Sequence, residues 1–549
     1  MGSDPAATRG VSSNPVPTVT AGRWAAGHTS LPGLLTATAI VAFMVAALGS
    51  LLAVGGEIDL ASLADPYVWG IVRFTLLQAG LSTLLSVAPA LPIARALARR
   101  PAFPSRRAVL ALLTMPLALP ALVAVLGILS VWGRAGWLAQ ALAQLGLAHT
   151  PSIYGLTGIL LAHVFFNLPF AVLVLLARLE ATPGETWRLA SQLGLGPRAI
   201  WWLVEWPALR AALPGLAGVI LLLCATSFAI VLTLGGGPGA ATLEVAIYQS
   251  LRFDFDPPRA ALLAVLQTAL CGVLVASLRG AAMPMAAEMA RGASVPRWDT
   301  TGRLGAALDT FCIALATLLV GLPVLAVVAS GVSAGLTGLL ADPLVWRAAA
   351  TSLAIAPAAA LLSTSAAWSL ITAARRSGGM PRAALDIAGP LVLAVPPFVL
   401  GAGWLVLLNR AGLAFSLAPL MVVAINALMA LPFALRILGS ADASLAAEHH
   451  RLCELLGLSG WSRFRLIDWP MLRGAFTFAL ALAASLSLGD LGIAALFGSE
   501  QLLTLPLLLQ QRMGSYRIAD ASGLALLLAL LCLGLFQLGE QVARRGRGA

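Results

Sequence analysis

Runs of about 20 apolar residues recur along most of this 549-residue chain, and charged side chains are nearly excluded from them. A helix rises about 1.5 Å per residue, so each run matches the ~30 Å hydrocarbon core of a bilayer. Barrel strands would be about half as long and would alternate in polarity, which these runs do not. Only 10% of the residues are charged and 59% are hydrophobic, too little charge to cover a soluble fold of this length. The fold class is therefore an all-α polytopic membrane protein. The runs predict twelve spans, near 34–54, 69–94, 108–132, 154–177, 213–234 and 260–279, then near 306–330, 346–372, 383–408, 417–438, 475–497 and 519–541.

Every basic residue other than His is Arg; the chain contains no Lys. Most arginines fall in segments that share one side of the predicted membrane, including both ends of the chain, which by the positive-inside rule makes both termini cytoplasmic. The net charge of +11 is thus explained by topology, and no nucleic-acid partner is expected. A phosphate-cradling P-loop needs its Lys, so any coupling to ATP must come from another polypeptide. Residues 1–30 read as a disordered cytoplasmic tail, with no convincing cleavable signal before the first span. Cys224, Cys271, Cys312, Cys453 and Cys532 have no ligand spacing and read as packing residues, so neither metal nor cofactor is expected.

One pattern is written twice. Leu193-Gly194 … Val204-Glu205-Trp206-Pro207 recurs 263 residues later as Leu456-Gly457 … Ile467-Asp468-Trp469-Pro470. Asp65-Pro66 and Asp342-Pro343 each open the second span of a half, and Ala135-Gly136 matches Ala411-Gly412. The chain divides into parallel six-span repeats at 31–280 and 306–541, joined by a polar linker at 281–305 and followed by a basic tail at 542–549. Between the fourth and fifth spans of each half lies an Arg-rich interruption, at 178–212 and 439–474. In each, a short amphipathic helix (Glu185 to Leu193; Glu448 to Leu456) is expected to stop at a glycine, with a second helical stretch running on into the proline. An amphipathic helix lying on the membrane surface would have the same composition, but such anchors rarely recur at matched places in a repeat.

Gly, Val or Ile ten residues on, and Pro thirteen on resemble the EAA loop of permease subunits of type I ATP-binding-cassette importers. That resemblance covers about residues 34–541 and implies a fused pair of permeases, non-catalytic in themselves. It further implies that each loop forms a coupling helix seated in one of two copies of an ATP-hydrolysing subunit. Carried over residue by residue, the coupling positions are Glu185, Arg188, Ala190, Gly194, Val204 and Pro207, with Glu448, Arg451, Cys453, Gly457, Ile467 and Pro470 in the second copy. Where the family has Glu-Ala-Ala, this chain has Arg188-Leu189-Ala190 and Arg451-Leu452-Cys453, so Glu185 and Glu448 stand in for the acidic group.

The stretches Phe228 to Pro238, Thr242 to Asp256 and His163 to Pro169 resemble the thiamine permeases among these importers. This implies a bacterial inner-membrane path for thiamine and its phosphate esters, delivered by a periplasmic binding protein, with membrane lipid around it. Ferric-iron permeases are the alternative by architecture, and a secondary transporter driven by an ion gradient is the rival of a different class. Asp490 is the best intramembrane ionisable candidate for the path, and Ser227 is its counterpart in the first half. A structural hydrogen bond between helices is the plainer role for Asp490, as it is for His163, Asn167 and Asn426. Glu244, Asp254 and Asp256 read as an external acidic loop.

Overall fold

The computed structural model describes residues 31–54, 64–146, 152–278, 302–377, 391–458 and 460–545, with Arg382, Leu385 and Gly389. The tail at 1–30, most of the linker at 281–305, part of the span expected at 383–408 and the last four residues lie outside the described residues. Among the described residues, every regular element is a helix. Eleven are long and apolar enough to cross a membrane, and Pro397–Arg410, a shorter apolar helix, stands where the remaining expected span was placed.

The first half contains α1 Leu31–Val54, α2 Pro66–Arg99, α3 Ala121–Trp132, α4 Leu156–Glu180, α5 Gly184–Gln192 and α6 Trp206–Ala225. It closes with α7 Phe228–Leu234, α8 Leu243–Arg252 and α9 Pro257–Ser277. The second half contains α10 Arg303–Ser333, α11 Pro343–Arg376, α12 Pro397–Arg410, α13 Ala418–Leu455 and α14 Trp469–Leu488. There α15 Gly492–Phe497, α16 Leu505–Gly514 and α17 Ile518–Arg545 complete the order.

Local chemistry sets several boundaries identically in the two halves. Asp65 and Asp342 cap α2 and α11, accepting from the backbone N–H of Tyr67 (2.8 Å) and Leu344 (2.9 Å), with Pro just inside each helix. The second helix after each fifth-span break, α8 or α16, is tied to its second span in the same way. Leu243 N–H donates to Thr75 Oγ1 (3.1 Å), and Leu505 N–H donates to Ser352 Oγ (2.9 Å).

The halves interlock through their first helices. α1 packs chiefly on α11 and α12, and α10 packs on α2, α3 and α17. Both crossings use a glycine of the third span: Gly127 faces the carbonyl of Pro323, and Gly403 faces the carbonyl of Ala47, each so closely that no Cβ fits. Ser50 Oγ adds a 2.6 Å hydrogen bond to the Gly403 carbonyl.

Four expected spans are not continuous, among them that placed at 383–408, which breaks at Val395-Pro396 before α12. The span placed at 108–132 is split into Arg106–Thr114 and α3 by a turn carrying Pro116 and Pro120. The span placed at 213–234 breaks at Thr226-Ser227, between α6 and α7, and that at 475–497 breaks at Gly489–Leu491, between α14 and α15. Backbone groups freed inside a membrane need partners. Gln78 supplies one to the Cys224 carbonyl (2.8 Å) and Gln267 one to the Ala225 carbonyl (3.2 Å), both from fully buried positions on neighbouring helices.

Candidate functional site

The two repeated loops are built alike where their sequences agree. α5 ends on Gly194 at φ +61°, and the second copy ends on Gly457 at φ +59°. In each, the next N–H reaches back five residues, from Leu195 to the Ala190 carbonyl (3.1 Å) and from Leu458 to the Cys453 carbonyl (2.9 Å). This closure requires the left-handed residue, and glycine adopts that conformation without a Cβ penalty. Ala190 and Cys453 are therefore buried acceptors at the helix ends, while Arg188, Arg451, Glu185 and Glu448 are exposed.

Val204 belongs to a small core inside the first loop, with Trp187, Ile200 and the flanking Leu195. Ile467, its counterpart, is half-buried. Ahead of Pro207 and Pro470 the helix widens to a π turn, with Trp206 N–H donating to the Trp201 carbonyl and Trp469 N–H to the Phe464 carbonyl. Proline lacks the N–H and crowds the carbonyl four residues back, which the wider turn accommodates. Both fifth spans consequently start earlier than the hydrophobic pattern suggested, at Trp206 and Trp469.

The copies differ upstream. A separate helix from Glu448 to Leu456 was expected, but α13 runs unbroken from Ala418 to Leu455. In the first copy Thr182-Pro183 interrupts the chain before α5, with Pro183 extended at ψ 137°. Leu445-Ala446 occupies the equivalent place and continues the helix.

Two carboxylates with no role in the sequence reading hold these loops to the spans. Glu205 is fully buried and pairs with Arg95 at the end of α2, Nε to Oε2 2.6 Å. The same guanidinium lies 4.9 Å over the Trp201 ring. Asp468, 263 residues on, is buried against Arg463 (3.2 Å) and Arg375 (3.9 Å), and Arg375 also pairs with Asp442 at 2.9 Å. The sequence signal was available: an acidic residue immediately before Trp-Pro in both copies.

A third shared feature is an exposed apolar face. Leu189, Leu193 and Leu203 are exposed, and so are Leu452, Leu456 and Leu466, each 263 residues from its partner. Trp202 and Trp461 lie exposed beside them.

Between the halves, away from these loops, lies a cavity of about 270 Å³ lined by the interrupted helices. Leu117–Ala121, Thr226-Ser227-Phe228 and Gly489-Asp490-Leu491 contribute three breaks, and Pro397-Phe398 contributes the start of α12. Ser227 and Asp490, 263 residues apart, both line this cavity. Among the described residues, the Asp490 side chain bonds only the start of the helix that follows it. Its two oxygens accept from Gly492 N–H (3.1 Å) and Ile493 N–H (3.2 Å), satisfying the start of α15. The interhelical role holds for His163, which meets Ser82 Oγ (2.9 Å), for Asn167, which donates to Cys224 Sγ (3.2 Å), and for Asn426, which bonds Ser487 Oγ (2.9 Å).

Glu244 overturns the reading of an external acidic loop. It is 2% exposed, sits in the first turn of α8 and lines the cavity, whereas Asp254 is exposed and Asp256 caps α9. Phe228 of the first half and Phe398 of the second stack across the same space at 4.6 Å and 24°. Tyr248 meets Phe228 edge-on at 5.2 Å.

Residues 365–545 match the family model described as "Binding-protein-dependent transport system inner membrane component". Over 491 residues the chain is 50% identical to the thiamine transport system permease protein of Brucella abortus, covering 89% of this chain and 90% of that one. The protein of the same description from Escherichia coli is 45% identical over 525 residues, 94% of this chain and 97% of that one. That from Haemophilus influenzae is 38% identical over 513 residues, 92% and 94%.

Proposed function

The chain belongs to the thiamine transport system permeases of binding-protein-dependent importers, and from that membership we propose that it forms the membrane path through which thiamine and its phosphate esters enter a bacterial cell. The observation that carries this reading is identity of 45–50% running through nearly the whole length of both chains in the comparisons with Brucella abortus and Escherichia coli. The ferric-iron alternative rests on architecture alone.

In this reading the two halves, 31–280 and 306–541, are parallel repeats, and both termini are cytoplasmic. The loops at 178–212 and 439–474 dock two copies of an ATP-hydrolysing subunit. Their matched exposed leucines suit an apolar groove on such a partner, because faces of this kind on a soluble end of a protein mark interaction sites. Gly194 and Gly457 fix the ends of the docking helices, while Ala190, Val204, Cys453 and Ile467 hold them on the body of the protein. Glu205 with Arg95, and Asp468 with Arg375 and Arg463, tie loop motion to the second and fifth spans. Pro207 and Pro470 start the fifth spans. Ser227 and Asp490 stand where those spans break, so movement of the loops along α6 and α14 reaches the cavity directly. A substrate-binding protein presents cargo at the opposite face, and alternation between outward- and inward-facing states moves it through.

The test is reconstitution of the permease with its ATPase subunit and binding protein. Binding-protein-stimulated ATP hydrolysis and ATP-dependent thiamine uptake support the reading. Uptake of another cargo, with thiamine neither bound nor carried, would overturn the substrate.

A further inference from the structure

The halves differ where they meet. Position 490 is Asp where its counterpart 227 is Ser, and Glu244, second residue of α8, is matched by Pro506, second residue of α16. Each half thus contributes one carboxylate at a place where the other has none, and both line the one cavity. The lining contains no Arg or His to neutralise them.

The two acids differ in what they have to do. Asp490 already caps α15 through both oxygens. Glu244, at 2% exposure, accepts no hydrogen bond and joins no ion pair among the described residues, though it borders the cavity. A carboxylate removed from water without a partner is costly, and such groups are retained where a ligand supplies the partner. Phe228 and Phe398 add aromatic faces from both halves, and aromatic faces attract cations.

We propose that this cavity is a binding site for an aromatic organic cation inside the membrane part itself, with Glu244 as the counter-charge, Asp490 as a second acceptor and Phe228 and Phe398 as its aromatic wall. The proposal rests on the reading of the chain as a thiamine permease, since thiamine carries a fixed positive charge on its thiazolium ring. The site is asymmetric by construction: the first half supplies the free carboxylate and the second half the capped one. Cargo released by the binding protein would then be held at the breaks of α6–α7 and α14–α15 before passage.

The experiment compares thiamine with an uncharged isostere whose thiazolium is replaced by thiophene. Binding is measured to the intact permease–ATPase complex in lipid nanodiscs, without binding protein. Wild type should prefer thiamine by at least about tenfold, as expected for a desolvated ion pair. Glu244→Gln should remove most of that preference, Glu244→Asp should restore part of it, and Asp490→Asn should reduce it. Equal affinity of wild type for the two ligands, no retained thiamine, or an unchanged preference in Glu244→Gln would overturn the site. Should Glu244→Gln not assemble, the wild-type ratio decides alone. Uptake of thiamine by the complete wild-type system is measured in parallel: its presence with no preference in the nanodisc overturns the site only, and its absence overturns the substrate reading.

Discussion

Arg95 Nε lies 2.6 Å from an oxygen of Glu205, a carboxylate with no solvent exposure, and so joins the end of α2 to the start of α6 across the repeated loop. The Arg95 side chain keeps about a fifth of its surface in solvent, and its guanidinium also donates to the Pro197 carbonyl at 3.3 Å. The loop is therefore held from beneath by charge and from within by the Trp187, Ile200 and Val204 core.

The two partners of this pair should respond unequally to substitution. Arg95→Ala removes the guanidinium from a fully buried carboxylate, a change that costs about 3–5 kcal/mol in enclosed pairs, reduced here by the partial exposure of Arg95. Glu205→Gln leaves a charge that can turn toward solvent and should cost less. Thermal unfolding of the detergent-solubilised protein checks the order: Arg95→Ala should melt below Glu205→Gln.

Gly194 and Gly457 should tolerate substitution according to backbone preference rather than size. Nothing lies within 4 Å of a Cβ at either position, so the cost is that of a left-handed conformation, about 1–2 kcal/mol for a residue with a Cβ. Asn adopts it more readily than Val. Gly194→Asn and Gly457→Asn should keep thiamine uptake near wild type, and the Val variants should lower it while the permease remains in the membrane, measured by uptake beside immunoblotting.

The interlocking of the halves makes a sharper steric prediction. Gly127→Ala and Gly403→Ala each drive a methyl against a backbone carbonyl of the other half's first helix, at Pro323 and Ala47, which cannot move aside as a side chain would. Gly80→Ala, in the open face of α2, meets nothing within 4 Å and should stabilise slightly if at all. Size-exclusion profiles after heating should show loss of the monodisperse peak for the first two and not for the third.

Phe398 closes the cavity against Phe228 across the two halves. Phe398→Ala removes the stacked ring and leaves a void, a change that costs about 3–5 kcal/mol in packed cores. That contact joins the two halves, which in the proposed cycle move relative to one another. The variant should therefore raise ATP hydrolysis in the absence of binding protein, and Phe398→Leu should do so less.

Much of the fold was legible because a bilayer imposes a length and a polarity on every span. The caps at Asp65 and Asp342 and the glycine stops at Gly194 and Gly457 were legible because few residue types satisfy each geometry. The breaks in the fifth spans were not. Thr226-Ser227 contains neither proline nor glycine, and the Cys224 and Ala225 carbonyls just before it accept from Gln78 and Gln267 of other helices. Two glutamines inside apolar runs were the available hint. The merger of the second loop's helix into α13 was hidden for the opposite reason, since the repeat invited the same break in both copies although Pro183 is matched by Ala446. Glu244 looked like a loop residue because it follows a glycine-rich turn; only packing places it at the cavity.

Coupling to ATP through the repeated loops is the central claim, and energy dependence in proteoliposomes tests it most directly. Vesicles carrying the permease and its ATPase subunit, given binding protein and labelled thiamine, should accumulate label only when ATP reaches the ATPase, with a protonophore having no effect. Accumulation that continues without the ATPase subunit and collapses on adding the protonophore would contradict it.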